Sequence, residues 1–111
     1  MGQSLSMQHG ALLIDLVHYQ VLLDRQPVAL TYREYALLVY LATHAGHVVT
    51  KRRLLEEGMG RHDPGGLRMV DEHIRHLKAR LEQEGRTFIE EVEGMGYRFI
   101  RPASSESADQ R

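Results

Sequence analysis

The most regular pattern in the chain lies at residues 68–81, which read RMVDEHIRHLKARL. Apolar residues recur here at intervals of four, three and four, the spacing of one narrow stripe on an α-helix: Val70, Ile74, Leu77 and Leu81. At about 100° per residue, the opposite face carries charged, polar and small side chains: Arg68, Glu72, Arg75, His76 and Ala79. The pattern predicts a helix over about residues 68–84 with one apolar side and one side rich in hydrogen-bonding groups.

Two shorter helices are predicted upstream of this one. Thr31 and Glu34 form a capping box, in which each side chain accepts a hydrogen bond from the backbone N–H of the other residue. Apolar residues follow at helical spacing, and Gly46 is expected to stop this first helix. Thr50 is a second N-cap candidate, and the short helix behind it is expected to end at Gly58.

Extended structure is predicted on both sides of the helices. Residues 11–30 are rich in Leu, Val and Ile around a turn signal, which predicts an antiparallel sheet of three or four short strands. Residues 88–92 and 97–100 flank a double-glycine turn and predict a β-hairpin. Residues 58–66 contain four glycines and one proline and are expected to form a loop. We therefore expect one domain over residues 10–102, between a disordered leader (1–9) and a disordered tail (103–111).

Composition excludes several classes of function. The chain has 111 residues and no cysteine, which excludes disulfides, thiolate nucleophiles and cysteine-ligated zinc and makes a reducing cytoplasm the expected location. No apolar run approaches the roughly 20 residues needed to cross a bilayer, so no membrane partner is expected. The net charge of −1 is less basic than that of most nucleic-acid binders. Any binding to nucleic acid must therefore depend on how the charges are distributed.

The order of elements nevertheless indicates DNA binding. A helix that exposes Arg, His and small residues has the diameter and chemistry to lie in the DNA major groove. The short helix after Thr50 begins with three cations that can hold the phosphate backbone, and the hairpin can reach an adjacent groove: Lys51, Arg52 and Arg53. Arg68 and Arg75 are the most direct candidates for DNA contact.

Four segments resemble, in the right order, the OmpR/PhoB-type winged helix-turn-helix DNA-binding (effector) domain of bacterial two-component response regulators. They are LTYREYALL (30–38), GHVVTKRRLL (46–55), RMVDEHIRHLKARL (68–81) and GMGYRF (94–99). The resemblance implies an α+β fold with an N-terminal antiparallel sheet, three helices and a C-terminal β-hairpin wing. It also implies sequence-specific binding of double-stranded DNA for transcription regulation, with the third helix as the recognition helix.

The resemblance assigns candidate contacts as well. Arg68, His73, Arg75 and Lys78 match positions that usually contact phosphate or groove edges, and Tyr97 matches a wing tyrosine that packs or touches phosphate. With the start of the second helix and the outward face of the third, the candidates are Thr50, Lys51, Arg52, Arg53, Arg68, Glu72, His73, Arg75, His76, Lys78, Ala79 and Tyr97. The loop Gly58–Gly66 corresponds to a segment that can contact RNA polymerase, and relatives often bind direct repeats as tandem homodimers.

Three residues depart from the family pattern. Glu72 occupies an outward position that is often small or apolar in relatives, and His76 stands where arginine is common. In the hairpin, Glu93 stands where relatives often carry arginine or another residue that reaches the groove. A carboxylate repels phosphate, although in the major groove it can accept a hydrogen bond from cytosine N4.

Other functions are weighed against DNA binding. The acidic hairpin favours a winged helix that has become a protein-interaction module, whereas the cations of the third helix favour DNA. No nucleophile–base–orienter set is present, so no enzyme and no catalytic residue are predicted. His73 and His76 are spaced like a metal pair, but a zinc site needs three or four ligands, so no metal or cofactor is expected. Asp71 is interpreted as the structural partner of a nearby arginine.

Overall fold

The computed structural model describes residues 5–60 and 66–101. Within them, the N-terminal sheet has four antiparallel strands in sequential order: β1 (Ser6–His9), β2 (Leu12–Asp15), β3 (Gln20–Leu23) and β4 (Gln26–Pro27). Successive side chains of a strand point to opposite faces, so Leu12 and Ile14 enter the core while the residues after them are half-buried. The predicted N-terminal sheet is confirmed.

Strand β1 begins earlier than the sequence predicted. Ser6 lies opposite Asp15 and His9 opposite Leu12, in register with β2. The ring of His9 also packs on Phe99, with 4.8 Å between ring centroids. These contacts are non-local, which is why a segment with a weak strand pattern is ordered. The expectation of a disordered leader is therefore wrong for Ser6–His9; residues 1–4 and the predicted tail, 103–111, lie outside the described residues.

Helix α1 (Tyr32–Thr43) begins with the predicted capping box. The N–H of Glu34 donates to Oγ1 of Thr31 at 3.1 Å, and the N–H of Thr31 donates to Oε1 of Glu34 at 3.0 Å. The helix ends at Thr43, before the predicted stop at Gly46. Gly46 has a positive φ of 88° and donates its N–H to the carbonyl of Phe99, so it turns the chain toward the second sheet.

Between α1 and the second helix lies strand β5 (Val48–Thr50), which the sequence did not predict. Thr50 ends this strand and also caps α2 (Lys51–Arg53), because its Oγ1 accepts from the N–H of Arg53 at 3.1 Å. The helix continues as a π-helical turn, Leu54–Gly58, and ends at Gly58 as predicted. Residues 61–65 of the predicted loop lie outside the described residues.

Helix α3 (Gly66–Leu81) precedes the wing, which consists of β6 (Ile89–Val92) and β7 (Gly96–Phe99). The predicted span was 68–84. The helix begins two residues earlier, at Gly66, and ends three residues earlier, at Leu81. Glu84 and Gly85 both have positive φ, 59° and 79°, so the chain has already left the helix and turns toward the wing. The second sheet has the order β5-β7-β6, which joins the strand before α2 to the predicted hairpin.

The helices and both sheets enclose one hydrophobic core. Its buried members come from every layer: Leu12, Ile14, Val21, Tyr35, Leu37, Leu38, Leu41, Ala42, Val49, Leu54, Leu55, Val70, Ile74, Leu77, Leu81, Ile89, Tyr97 and Phe99. Because this core fixes α3 against α1 and the wing, it also fixes which side of α3 faces outward. Across the residues that the structure describes, no helix has the length and hydropathy to cross a membrane.

Candidate nucleic-acid interface

The side of α3 opposite its buried stripe is open to solvent. Val70, Ile74, Leu77 and Leu81 are each at most 1% exposed. The outer face of α3 is formed by the predicted residues Arg68, Glu72, Arg75, His76 and Ala79. All of them are exposed except Glu72, which is half-buried.

One carboxylate occupies the middle of this outer face. Oε2 of Glu72 lies 2.9 Å from a terminal guanidinium nitrogen of Arg75, one helical turn away. The same oxygen lies 3.9 Å from Nε2 of His76, whose Nδ1 is 3.9 Å from Oε2 of Glu34 in α1. Among the described residues, Arg68 has no ion-pair partner. Counting only partners in the part of the chain that the structure describes, the outer face therefore presents one unpaired arginine, Arg68, and one paired arginine, Arg75.

Glu34 joins α3 to the start of α1. It is only 2% exposed and accepts a hydrogen bond from Arg80 at 3.0 Å, while Arg80 also donates to the carbonyl of Ala29 at 3.0 Å. The capping-box signal identified Glu34, but nothing local in the sequence indicated that Arg80 would reach it. This pair positions the recognition-helix candidate against the rest of the fold.

The cations of α2 lie beside α3 and also have acidic partners. Arg52 lies 3.4 Å from Glu56, and Arg53 lies 3.6 Å from Glu57. Arg53 additionally donates to the hydroxyl of Tyr40 at 2.7 Å. Their side chains are 70% and 46% exposed, so both cations remain accessible to a phosphate group.

Lys51, Asp71 and Tyr97 link α2, α3 and the wing. The hydroxyl of Tyr97 donates to Oδ1 of Asp71 at 2.7 Å, and Nζ of Lys51 lies 3.2 Å from the same carboxylate. Burial, and next the hydrogen bond to Asp71, raise the pKa of the Tyr97 hydroxyl above its ordinary value. Asp71 thus has a lysine and a tyrosine as partners, which corrects the expectation of an arginine.

Lys78 is held between α3 and the wing. Its Nζ donates to the carbonyl of Ile89 at 2.6 Å and lies 3.1 Å from Oε1 of Glu82. The other carboxylate oxygen of Glu82 accepts from the N–H groups of Phe88 and Ile89, at 2.7 and 2.8 Å. Glu82 therefore fixes the start of the wing, a role that sequence reasoning missed because its partners are backbone groups beyond a turn.

His73 is placed differently from the residues of the outer face. Its Nε2 atom is buried and has no hydrogen-bond partner among the described residues. The structure thus brings together Arg68, Glu72, Arg75, His76 and Ala79 on one surface, with Thr50 to Arg53 beside it. It places His73, Lys78 and Tyr97 at the margins of this surface, with polar atoms directed mainly into the protein.

Acidic side chains border the interface on the wing side. Glu91 and Glu93 are exposed, and Glu90 forms an ion pair with Arg98 across the hairpin. A groove of about 440 Å³ separates α3 from the wing and is lined by Asp71, Ile74, Arg75, Lys78, Glu91 and Tyr97. The groove carries carboxylates as well as cations, so phosphate is not favoured along its whole length.

The fold and this surface define a winged helix-turn-helix domain of the OmpR/PhoB type. Residues 25–99 match the family model described as "Transcriptional regulatory protein, C terminal". The chain belongs to this family.

Curated relatives are regulators from bacteria. The alkaline phosphatase synthesis transcriptional regulatory protein PhoP of Bacillus subtilis is 33% identical over 91 residues, which cover 80% of this chain and 38% of that protein. The transcriptional regulatory protein SrrA of Staphylococcus aureus is 38% identical over 98 residues, covering 86% of this chain and 41% of that protein. The chain therefore spans about two fifths of the length of these relatives.

Solved structures of similar fold include one that contains DNA. The RstA DNA-binding domain of Klebsiella pneumoniae, determined in complex with the RstA box, has a TM-score of 0.76 and 34% identity and covers 86% of this chain and 96% of that one. The response regulator DrrB of Thermotoga maritima, an OmpR/PhoB homologue, has a TM-score of 0.78 and 32% identity over 86% of this chain and 44% of its own.

Proposed function

We propose that this chain binds double-stranded DNA in a sequence-specific manner, as the DNA-binding domain of a transcription regulator. The observation that carries the proposal is the outer face of α3, where Arg68, Arg75 and His76 are exposed on a helix whose other side is buried. An α-helix with its side chains is about 10–12 Å across, and the major groove of DNA is about 12 Å wide. The RstA complex with its DNA box supports the same class of ligand.

The surrounding residues have separate roles in this proposal. Thr50, Arg52 and Arg53 contact the phosphate backbone beside the groove, because the start of a helix offers unpaired N–H groups next to exposed cations. Lys78 and Tyr97 serve mainly to hold α3 against the wing, since their polar atoms already have partners in the protein.

The partners of the longer protein are also part of the proposal. PhoP and SrrA are much longer than this chain, so we propose that it functions as the effector part of a response regulator of the cytoplasm. Two copies bound in tandem on a direct repeat, and contact with RNA polymerase through the segment Gly58–Gly66, are expectations that follow from the family.

The experiment is selection of the folded protein against a pool of random duplex DNA, at low and at near-physiological salt. We expect enrichment of a short motif at both salt concentrations, with repeats about one helical turn apart if two copies bind in tandem. Enrichment by composition alone, lost at the higher salt, would contradict sequence-specific binding because phosphate contacts carry no sequence information.

A matched pair of arginine variants tests the assignment of the surface. Arg75→Ala should weaken binding to the selected motif by about 1–3 kcal/mol if Arg75 contacts a base. The control is Arg86, which pairs with Asp24 of the β3–β4 turn. Arg86→Ala removes the same positive charge and should leave the affinity nearly unchanged. Equal losses in the two variants would mean that Arg75 makes no specific contact with the motif.

A second function is favoured by the acidic partners of the cations. Lys51, Arg52, Arg53 and Arg75 each lie within 3.6 Å of a carboxylate, and the wing carries Glu91 and Glu93. Such a surface can dock a protein of mixed charge instead of DNA. The selection experiment separates the two functions, since a folded protein that enriches no motif at either salt concentration would favour protein docking.

A further inference from the structure

Glu72 and Arg75 form an ion pair on the surface that we propose faces DNA. The carboxylate oxygen and the guanidinium nitrogen are 2.9 Å apart, and the side chains are 44% and 65% exposed. The pair therefore offers outward a hydrogen-bond donor directly beside a hydrogen-bond acceptor. Such a pair can recognise a base only if α3 faces DNA, so its role in base recognition rests on the proposed function.

A guanine–cytosine pair presents the complementary arrangement in the major groove. Guanine offers N7 and O6 as acceptors, and the cytosine N4 amino group beside them is a donor. Guanine O6 and cytosine N4 are themselves joined by a hydrogen bond of about 2.9 Å, the ordinary N–H···O length. The spacing of the two base atoms thus matches that of the two protein atoms.

An adenine–thymine pair fits this arrangement less well. In one orientation it places thymine O4 and adenine N6 where guanine O6 and cytosine N4 would lie, so the contact of one donor and one acceptor is kept, but the thymine methyl group stands where guanine offers N7. A second guanidinium N–H of Arg75 therefore finds an acceptor at guanine and none at thymine, and a desolvated donor without a partner is costly. Glu72 thus selects base pairs that carry an amino group at this position, and Arg75 selects guanine among them.

We propose that Glu72 and Arg75 read one guanine–cytosine pair as a unit, with Arg75 donating to guanine and Glu72 accepting from cytosine N4. The ion pair between them persists on DNA, so Arg75 reaches a base without leaving its carboxylate partner. Because the pair is electrically neutral as a unit, it contributes base preference and little salt dependence.

The test uses the motif selected by the wild-type protein and the variant Glu72→Ala. Each cytosine of the motif is replaced singly by pyrimidin-2-one, a base that lacks only the 4-amino group. At one position we expect the wild-type protein to lose about tenfold in affinity, the size of a typical single base contact. The Glu72→Ala protein should show no loss at that position, although Arg75 still favours guanine in the opposite strand.

Controls separate a failure of this inference from a failure of the proposed function. Glu56→Ala removes a carboxylate that pairs with Arg52 in α2 and should leave every position of the motif unchanged. If wild-type and Glu72→Ala proteins respond alike to pyrimidin-2-one at every cytosine, the reading of cytosine by Glu72 is overturned while DNA binding stands. If the folded wild-type protein selects no motif, the proposed function fails, and this inference fails with it.

Discussion

The hydroxyl oxygen of Tyr97, in the second strand of the wing, lies 2.7 Å from Oδ1 of Asp71, in the first half of α3. The wing and the recognition-helix candidate are thus joined by a side-chain hydrogen bond as well as by the core. Tyr97 is 5% exposed, and Lys51 of α2 approaches the same carboxylate. Three elements of the proposed interface therefore meet at one aspartate.

Removing this hydroxyl tests how much the bond contributes to stability. Tyr97→Phe should lower the free energy of unfolding by about 1–2 kcal/mol, because it removes a hydrogen bond to a charged acceptor without removing the ring. Urea denaturation monitored by circular dichroism measures the loss. Tyr32→Phe is the matched control, since Tyr32 is 71% exposed, and it should leave the stability unchanged. Equal stability of wild-type and Tyr97→Phe proteins would mean that the bond contributes nothing.

The raised pKa of the Tyr97 hydroxyl predicts a loss of stability at alkaline pH. The pKa of its hydroxyl is raised in the folded protein, whereas an unfolded tyrosine titrates near 10.0. Above about pH 10 the unfolded chain loses this proton while the folded protein retains it, so the free energy of unfolding falls as pH rises. This fall in the free energy of unfolding should be smaller in Tyr97→Phe. The other tyrosines are present in both proteins, so the difference between the two pH profiles reports on Tyr97. Parallel pH profiles of the two proteins between pH 9 and 11 would contradict the raised pKa.

Asp71 is predicted to restrain Lys51 from binding phosphate. In Asp71→Asn the amide oxygen can still accept from Tyr97, but Lys51 loses its charged partner. Non-specific DNA affinity should rise, and the slope of log K against log salt concentration should steepen by about one unit. Fluorescence anisotropy with a labelled random duplex measures both quantities.

Two further variants show whether Lys51 is responsible for that gain. Glu91→Gln removes an exposed acidic charge from the wing and serves as the control for a simple change in net charge. In a Lys51→Met background, Asp71→Asn should no longer steepen the salt dependence. A gain of equal size in that background would show that Asp71 acts by general repulsion of DNA.

Two glycines of the wing, Gly94 in its turn and Gly96 at the start of β7, should respond differently to alanine. A Cβ on Gly96 would lie 2.0 Å from the carbonyl oxygen of Val49, so Gly96→Ala must separate β7 from β5. We expect a loss of at least about 3 kcal/mol in the free energy of unfolding. Gly94 has a positive φ of 79° but open space around it, so Gly94→Ala should cost only about 1 kcal/mol. Thermal or urea denaturation measures both, and similar losses would contradict the close approach of β5 and β7.

The parts of the fold that could be predicted from the sequence are those encoded by local patterns. The capping box at Thr31 and Glu34 lies within four residues, and the apolar stripe of α3 repeats every three or four residues. Both predictions are confirmed. Strand β5 has only three residues and gains its hydrogen bonds from β7, far along the chain. Its two valines alone could not distinguish a strand from the approach to a helix, so it was missed.

The composition of the interface could be predicted, but its charge pairing only in part. The outer face of α3 followed from helical geometry, and the pairing of Glu72 with Arg75 is an i,i+3 contact that spacing allows. The partners of Lys51 and Lys78 lie on other elements, and they depend on how closely α2 and the wing pack against α3. Non-local packing therefore determined which cations are free, a property that one sequence without its fold does not specify.

The pairing of β5 with β7 has a consequence for the order of events during synthesis. The strand that leads into α2 is held by a strand near residue 99, so the surface around Thr50 and Lys51 is incomplete until the last β-strand has been made. The chain must lose the entropy of closing a long loop before the hydrogen bonds between β5 and β7 can form. This slows folding relative to a purely helical domain. A growing chain that has left the ribosome only as far as α3 thus carries the recognition-helix candidate without its fixed surroundings, and the proposed DNA-binding surface is complete only once β7 has paired with β5.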